Sequence, residues 1–192
     1  MKKALSEMTP EELWQLFPIY LTEHKDHWEA WYNEEVKILQ SLLPYDIRFH
    51  HIGSTAIKGI FAKPIVDILI SADMQSEIRQ IAEILQKNGY IIMSSNENRI
   101  SLNKGYTEDG FAEKVFHLHL RLKDDINEIY FRDYLNAHQD IAKEYEKLKL
   151  KLWKKYEHNR DAYTNAKTEF VKKYTELAKH SIKKYGKFKT PL

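Results

Sequence analysis

The sequence predicts an α/β domain of the α+β kind, with a mixed β-sheet and flanking helices in its first two-thirds and a helical C-terminal third. Three observations carry this. Short β-branched runs, DIRFHHI (46–52), PIVDILI (64–70) and KVFHLHLRL (114–122), read as strands. Trp28, Tyr32, Val36, Leu39 and Leu43 recur at helical spacing. From Asn127 onward the helical period continues to the end of the chain.

The elements follow in order. Thr9-Pro10-Glu11-Glu12 is a capping box with proline in the first turn, so a short helix starts there and Pro18 ends it. PIYLTEH is a short extended piece. Asp26 caps the second helix, with Glu29 three residues on, and Pro44 closes it. The strand 46–52 enters a loop with Gly53 and Gly59, and the strand 64–70 follows almost at once. Asp73 caps a helix with Ile78, Ile81, Ala82 and Leu85 on one face, and Asn88-Gly89 ends it. Three strands come next, 90–95, 99–105 and 114–122. The helical third divides into three segments, with breaks near His138-Gln139 and His158-Asn159. No repeat, low-complexity tract or linker interrupts residues 1–192, which read as one domain.

Composition narrows the function. With 43% hydrophobic and 30% charged residues the chain has the make-up of a soluble globular protein. No apolar run approaches the roughly 18 residues that cross a bilayer. MKKALSEMTPEELW lacks the apolar core of a signal peptide, so a cytoplasmic location is expected. Without cysteine there is no disulfide, thiolate nucleophile or zinc-thiolate site. A net charge of +2 argues against a dedicated nucleic-acid binder. The charge is uneven, however. Residues 143–187 hold 14 Lys/Arg against 6 Asp/Glu, a net +8, leaving −6 for the rest. Such a tail is either the solvated face of amphipathic helices or a surface for nucleic acid or an acidic partner.

The chemistry concentrates in HHIGSTAIKGIFAKPIVDIL (50–69). Glycine after a strand lets backbone N–H groups approach a ligand, and Ser54 and Thr55 add hydroxyl donors to a phosphate oxygen. Alone, Gly53-Ser54 is equally a tight turn. Asp67 sits among Pro, Ile, Val and Leu, where a carboxylate must be paired or bind a cation. Lys63 is its obvious pairing partner. His117 and His119 are two apart in a strand and leave on the same face, able to bind metal, donate to phosphate or move protons. One Asp with two neutral histidines suits zinc or manganese better than magnesium. The opposite reading is a pair of solvent-facing histidines. His50-His51 is weaker, because adjacent strand residues point to opposite faces. Arg99 and Arg132 are phosphate-binding candidates, with Arg48 and Arg121 beside them.

HIGSTAIKGIFAKPIVDI, the later HLHL, YFRDYLNAHQDIAKEYEKLKLKL and RDAYTNAKTEFV resemble the GrpB family in order and spacing, over about residues 18–178. The resemblance implies a nucleotidyltransferase-like fold, a largely bacterial distribution and, in some members, fusion to dephospho-coenzyme A kinase. Polymerase-beta-type nucleotidyltransferases carry Gly-Ser at a strand end, about a dozen residues, then Asp-hydrophobic-Asp or Glu. Gly53-Ser54 and Asp67 match, with twelve residues between Ser54 and Asp67. Position 69 is Leu69, so the second metal-binding carboxylate of that pattern is missing.

Three functions are expected in competition. The first is an enzyme transferring a nucleotidyl or phosphoryl group of a phosphorylated small molecule through Asp67 with His117 or His119. The second is a non-catalytic nucleotide sensor. The third is a helper module whose basic tail contacts a partner protein.

Overall fold

The computed structural model describes residues 3–43 and 47–185. Pro44, Asp46 and Lys187, which figure in the expectations above, lie outside the described residues. Helix α1 (Pro10–Leu16) has the expected box: Glu12 N–H donates to Thr9 Oγ1, and Glu12 Oε2 accepts from Thr9 N–H at 2.7 Å. Helix α2 (His27–Leu42) starts after Asp26, whose side chain makes no cap bond.

Strands β1 (Arg48–Ile52), β2 (Val66–Ala72), β3 (Ile91–Ser95), β4 (Arg99–Thr107) and β5 (Gly110–Leu122) form one mixed sheet in the order β1-β2-β5-β4-β3. Only β2 and β5 run parallel; the other neighbours are antiparallel. β2 begins two residues later than its apolar run, because Ile65 N–H bonds to the Lys63 carbonyl in the turn before it. Helix α3 (Gln75–Lys87) is capped one residue after Asp73: Glu77 Oε2 accepts from the backbone N–H of Asp73 and Met74.

The sheet has two differently covered faces. Val66, Ile68 and Ile70 of β2 and Phe116, Leu118 and Leu120 of β5 point to one side, where α2 and α3 close the main core. Glu35 of α2 is buried there and held by Tyr90 Oη–H at 2.5 Å and Lys104 Nζ at 2.8 Å.

The intervening residues, Asp67 and Leu69 on β2 and His117 and His119 on β5, face the helical third. Among the described residues that third has four helices: α4 (Asn127–Ala137), α5 (Gln139–Tyr156), α6 (Arg160–Asn165) and α7 (Thr168–Tyr185). The unexpected extra break falls at Ala166-Lys167, just after α6.

Phe131, Leu135, Ala142, Tyr145 and Tyr174 pack from these helices onto Ile57 and Ile60 of the β1–β2 loop, forming a second core. Polar bonds tie the same loop down. Lys143 Nζ donates to the Gly59 carbonyl at 2.6 Å, Phe61 N–H donates to Glu146 Oε2 at 2.7 Å, and Lys149 Nζ donates to the Phe61 carbonyl. Asn136 adds bonds to Lys58 N–H and the Ala56 carbonyl. The loop is thereby held between the sheet and the helices, and a cleft remains above Asp67.

Candidate functional site

Pairing β2 beside β5 in parallel sets Asp67 opposite His117 and Leu69 opposite His119. Asp67 Oδ1 lies 3.0 Å from His119 Nε2 and 3.4 Å from His117 Nδ1. His117 is buried, with its Nε2 2.8 Å from Tyr106 Oη. His119 Nδ1 lies 3.5 Å from Arg121 Nη2.

Burial alone would raise the Asp67 carboxyl, but the hydrogen bonds from His117 and His119 outweigh it and hold the group far below the usual carboxylate range. Burial likewise lowers His117 to about 4 against the pull of Asp67, so its imidazole is neutral at pH 7. The donor atoms of Asp67, His117 and His119 lie within 4.8 Å of one another, a spacing that by itself admits one divalent ion.

Gly53 closes the floor. It ends β1 with φ at +71°, and a Cβ built there would stand 2.2 Å from Asp67 Oδ2. Only glycine lets this backbone lie against the carboxylate.

A cavity of about 230 Å³ opens above these groups. Gly53, Ser54, Lys63, Asp67 and His117 line one side, and Tyr145, Lys149, Arg160, Tyr163 and Lys167 the other. Lys149 is 1% exposed although it is a lysine. Burial, then the neighbouring Lys167, pushes its ammonium down to about 7. Burial, then Lys63, does the same to Lys167, and burial, then Arg160, lowers Lys63 to about 8. Four cationic side chains thus meet one carboxylate in a small enclosed volume.

Gly53, Ser54, Lys63, Asp67, His117 and His119 come together as their sequence context suggested. The two histidines are not solvent-facing; both bond to Asp67.

Three other candidates lie elsewhere. Thr55 is buried and donates to the Ile65 carbonyl beside His51, on the far side of the loop. Arg132 pairs with Asp133 at 2.6 Å and donates to the His51 carbonyl at 2.7 Å, outside the cavity. Arg99 forms a two-pronged pair with Asp125, both bonds at 2.6 Å, on the wall of an adjoining groove that shares Tyr145 and Lys167 with the cavity. His51 stacks on Tyr32, on the α2 side of the sheet.

Two consequences are measurable. Arg132→Ala is expected to leave anion binding in the cleft unchanged, because its partners lie outside it. Arg99→Ala should cost no more than about 1 kcal/mol in urea unfolding, since its pair is solvent-screened. A tenfold loss of affinity in the Arg132 variant would contradict this placement.

The model of the GrpB protein family matches residues 18–177. The chain belongs to the GrpB family. It is 33% identical to the glutamate-rich protein GrpB of Alkalihalophilus pseudofirmus over 163 residues, covering 80% of this chain and 91% of that one. It is 34% identical to the UPF0157 protein YqkA of Bacillus subtilis over 160 residues, covering 81% of this chain but only 46% of YqkA. The crystal structure of the conserved protein GrpB from Enterococcus faecalis superposes with a TM-score of 0.74 at 27% identity, covering 88% of this chain and all of that one. The GrpB fold is therefore the α+β arrangement described above. Among the described residues no helix is long and apolar enough to cross a membrane.

Proposed function

We propose that this GrpB chain binds a nucleotide or another phosphorylated small molecule in the cleft between the sheet and the helical third. The observation that carries the reading is the meeting of Lys63, Lys149, Arg160 and Lys167 on one cavity whose only carboxylate, among the described residues, is Asp67. Charges of one sign held together out of water raise the free energy of the empty site, and an anion relieves it. Phosphate fits best, because arginine and lysine donors converge there with the Ser54 hydroxyl and the backbone at Gly53.

Transfer of a nucleotidyl or phosphoryl group from that ligand is the finer reading. It is supported by a carboxylate with two imidazoles at the cavity floor, groups able to hold and move a proton. One observation favours a non-catalytic sensor instead. Leu69 is fully buried beneath the site, so the second carboxylate of a two-metal transferase has no counterpart on this strand.

A thermal-shift screen of nucleotides and coenzyme A precursors tests the binding. A ligand at 100 times its dissociation constant should stabilise the chain by about 2.7 kcal/mol, and a tenfold loss of affinity in Lys167→Ala should cut that to about 1.4 kcal/mol. Product formation from the best ligand separates enzyme from sensor. If no phosphorylated compound shifts the transition, the reading fails.

A further inference from the structure

The triad at the cavity floor has the spacing of a metal site but not its surroundings. A histidine that ligates a metal through one nitrogen carries its proton on the other, and that N–H needs an acceptor. His119 presents Nε2 to Asp67, and its Nδ1 faces Arg121 Nη2 at 3.5 Å. A guanidinium has five donors and no acceptor. A proton on Nδ1 would therefore point at another proton, and the arrangement places it on Nε2, aimed at Asp67.

His117 is arranged the same way around. Its Nε2 lies 2.8 Å from the Tyr106 hydroxyl, a group able to donate to it. The imidazole proton then sits on Nδ1, again aimed at Asp67. Both histidines are set as N–H donors to one carboxylate, His119 with Arg121 and His117 with the Tyr106 hydroxyl on the outer side. The charge balance points in the same direction. Lys63, Arg160 and Lys167 crowd around Asp67, and a divalent cation added there would meet repulsion from all of them.

We propose that the cleft takes its phosphorylated ligand without a resident divalent metal ion: Lys63, Lys149, Arg160 and Lys167 supply the positive charge, and Asp67 with His117 and His119 is a closed hydrogen-bonded frame. The frame joins β2 to β5 and fixes the imidazole protons in the floor of the site. This rests on the cleft being a phosphate site, so the test separates the two.

Inorganic tripolyphosphate is titrated calorimetrically into the full chain in EDTA, and again in excess magnesium or manganese. Zinc, manganese and magnesium are separately titrated into the chain alone. The expected results are tripolyphosphate binding that survives EDTA, no stoichiometric binding of any of the three metals, and an affinity lowered about tenfold by Lys167→Ala. Arg121→Met should create zinc binding by freeing His119 Nδ1 to carry a proton.

Tripolyphosphate binding that vanishes in EDTA and returns with metal would overturn the inference while leaving the phosphate reading intact. Stoichiometric zinc binding lost in His119→Ala would overturn it equally, whatever the anion does. No tripolyphosphate binding in either buffer would sink the phosphate reading and this inference together.

Discussion

Gly53→Ala is expected to destabilise the protein by about 2–6 kcal/mol, far more than the same change at Gly59. Both glycines have positive φ, +71° and +72°. Gly53 adds ψ near −170°, a combination that side chains essentially never adopt, so strain alone costs of order 1–3 kcal/mol. The two positions then diverge. A Cβ on Gly59 would meet nothing within 4 Å, whereas one on Gly53 would stand 2.2 Å from Asp67 Oδ2. Asp67 cannot retreat cheaply, because doing so breaks its bonds to His117 and His119. Leaving those buried donors unpaired costs about 1–3 kcal/mol more. Urea unfolding of both variants measures the difference, and Gly53→Ala should lose anion binding as well. Equal costs at the two sites would mean that the Gly53–Asp67 approach matters little.

The same approach shows why part of the site was legible in the sequence. Strand periodicity and the Gly-Ser to Asp spacing put Gly53, Asp67, His117 and His119 together, because one strand register decides the face of every residue in it. The fold class followed for the same reason. The cationic wall followed a different logic. Lys149, Arg160 and Lys167 belong to a stretch with 14 basic residues, most of them solvated, and helical period alone does not separate the few that point inward.

One signal was present. Ala142, Tyr145, Lys149 and Leu152 form the buried stripe of α5, so a lysine occupies an apolar position of an otherwise regular pattern. Lys167 gave no such signal. It sits in the break between α6 and α7, which exists because Thr168 starts a new helix one residue later. Arg160 is placed by the Asn159 cap, whose side chain accepts from Ala162 N–H at 2.9 Å. Thr55, Arg99 and Arg132 are residue types that suit phosphate, but their chain neighbours supply nearer partners.

Raising the pH from 7 to about 9 is expected to stabilise the ligand-free protein while weakening its hold on tripolyphosphate. Both effects come from the same three amines. Lys149 and Lys167 lie at about 7 and Lys63 at about 8, each pushed down first by burial, against 10.5 for the ordinary side chain. Asp67 and Glu146 pull the other way and do not prevail. Across this window the unfolded chain binds more protons than the folded one, so stability rises with pH. The slope is at most about 1.4 kcal/mol per pH unit for each amine, and it disappears below about pH 6, where all three are charged in both states. His117, at about 4, stays neutral throughout and adds nothing. Tripolyphosphate favours the charged amines, so its binding takes up protons. Its affinity should fall about tenfold or more between pH 7 and 9. Lys149→Met should flatten both curves in part, since it deletes one titrating group from a buried apolar stripe. Urea unfolding and calorimetry in buffers of different ionisation enthalpy read the two slopes and the proton uptake directly. An affinity that holds constant across the window would show that the buried amines are not what grips the anion.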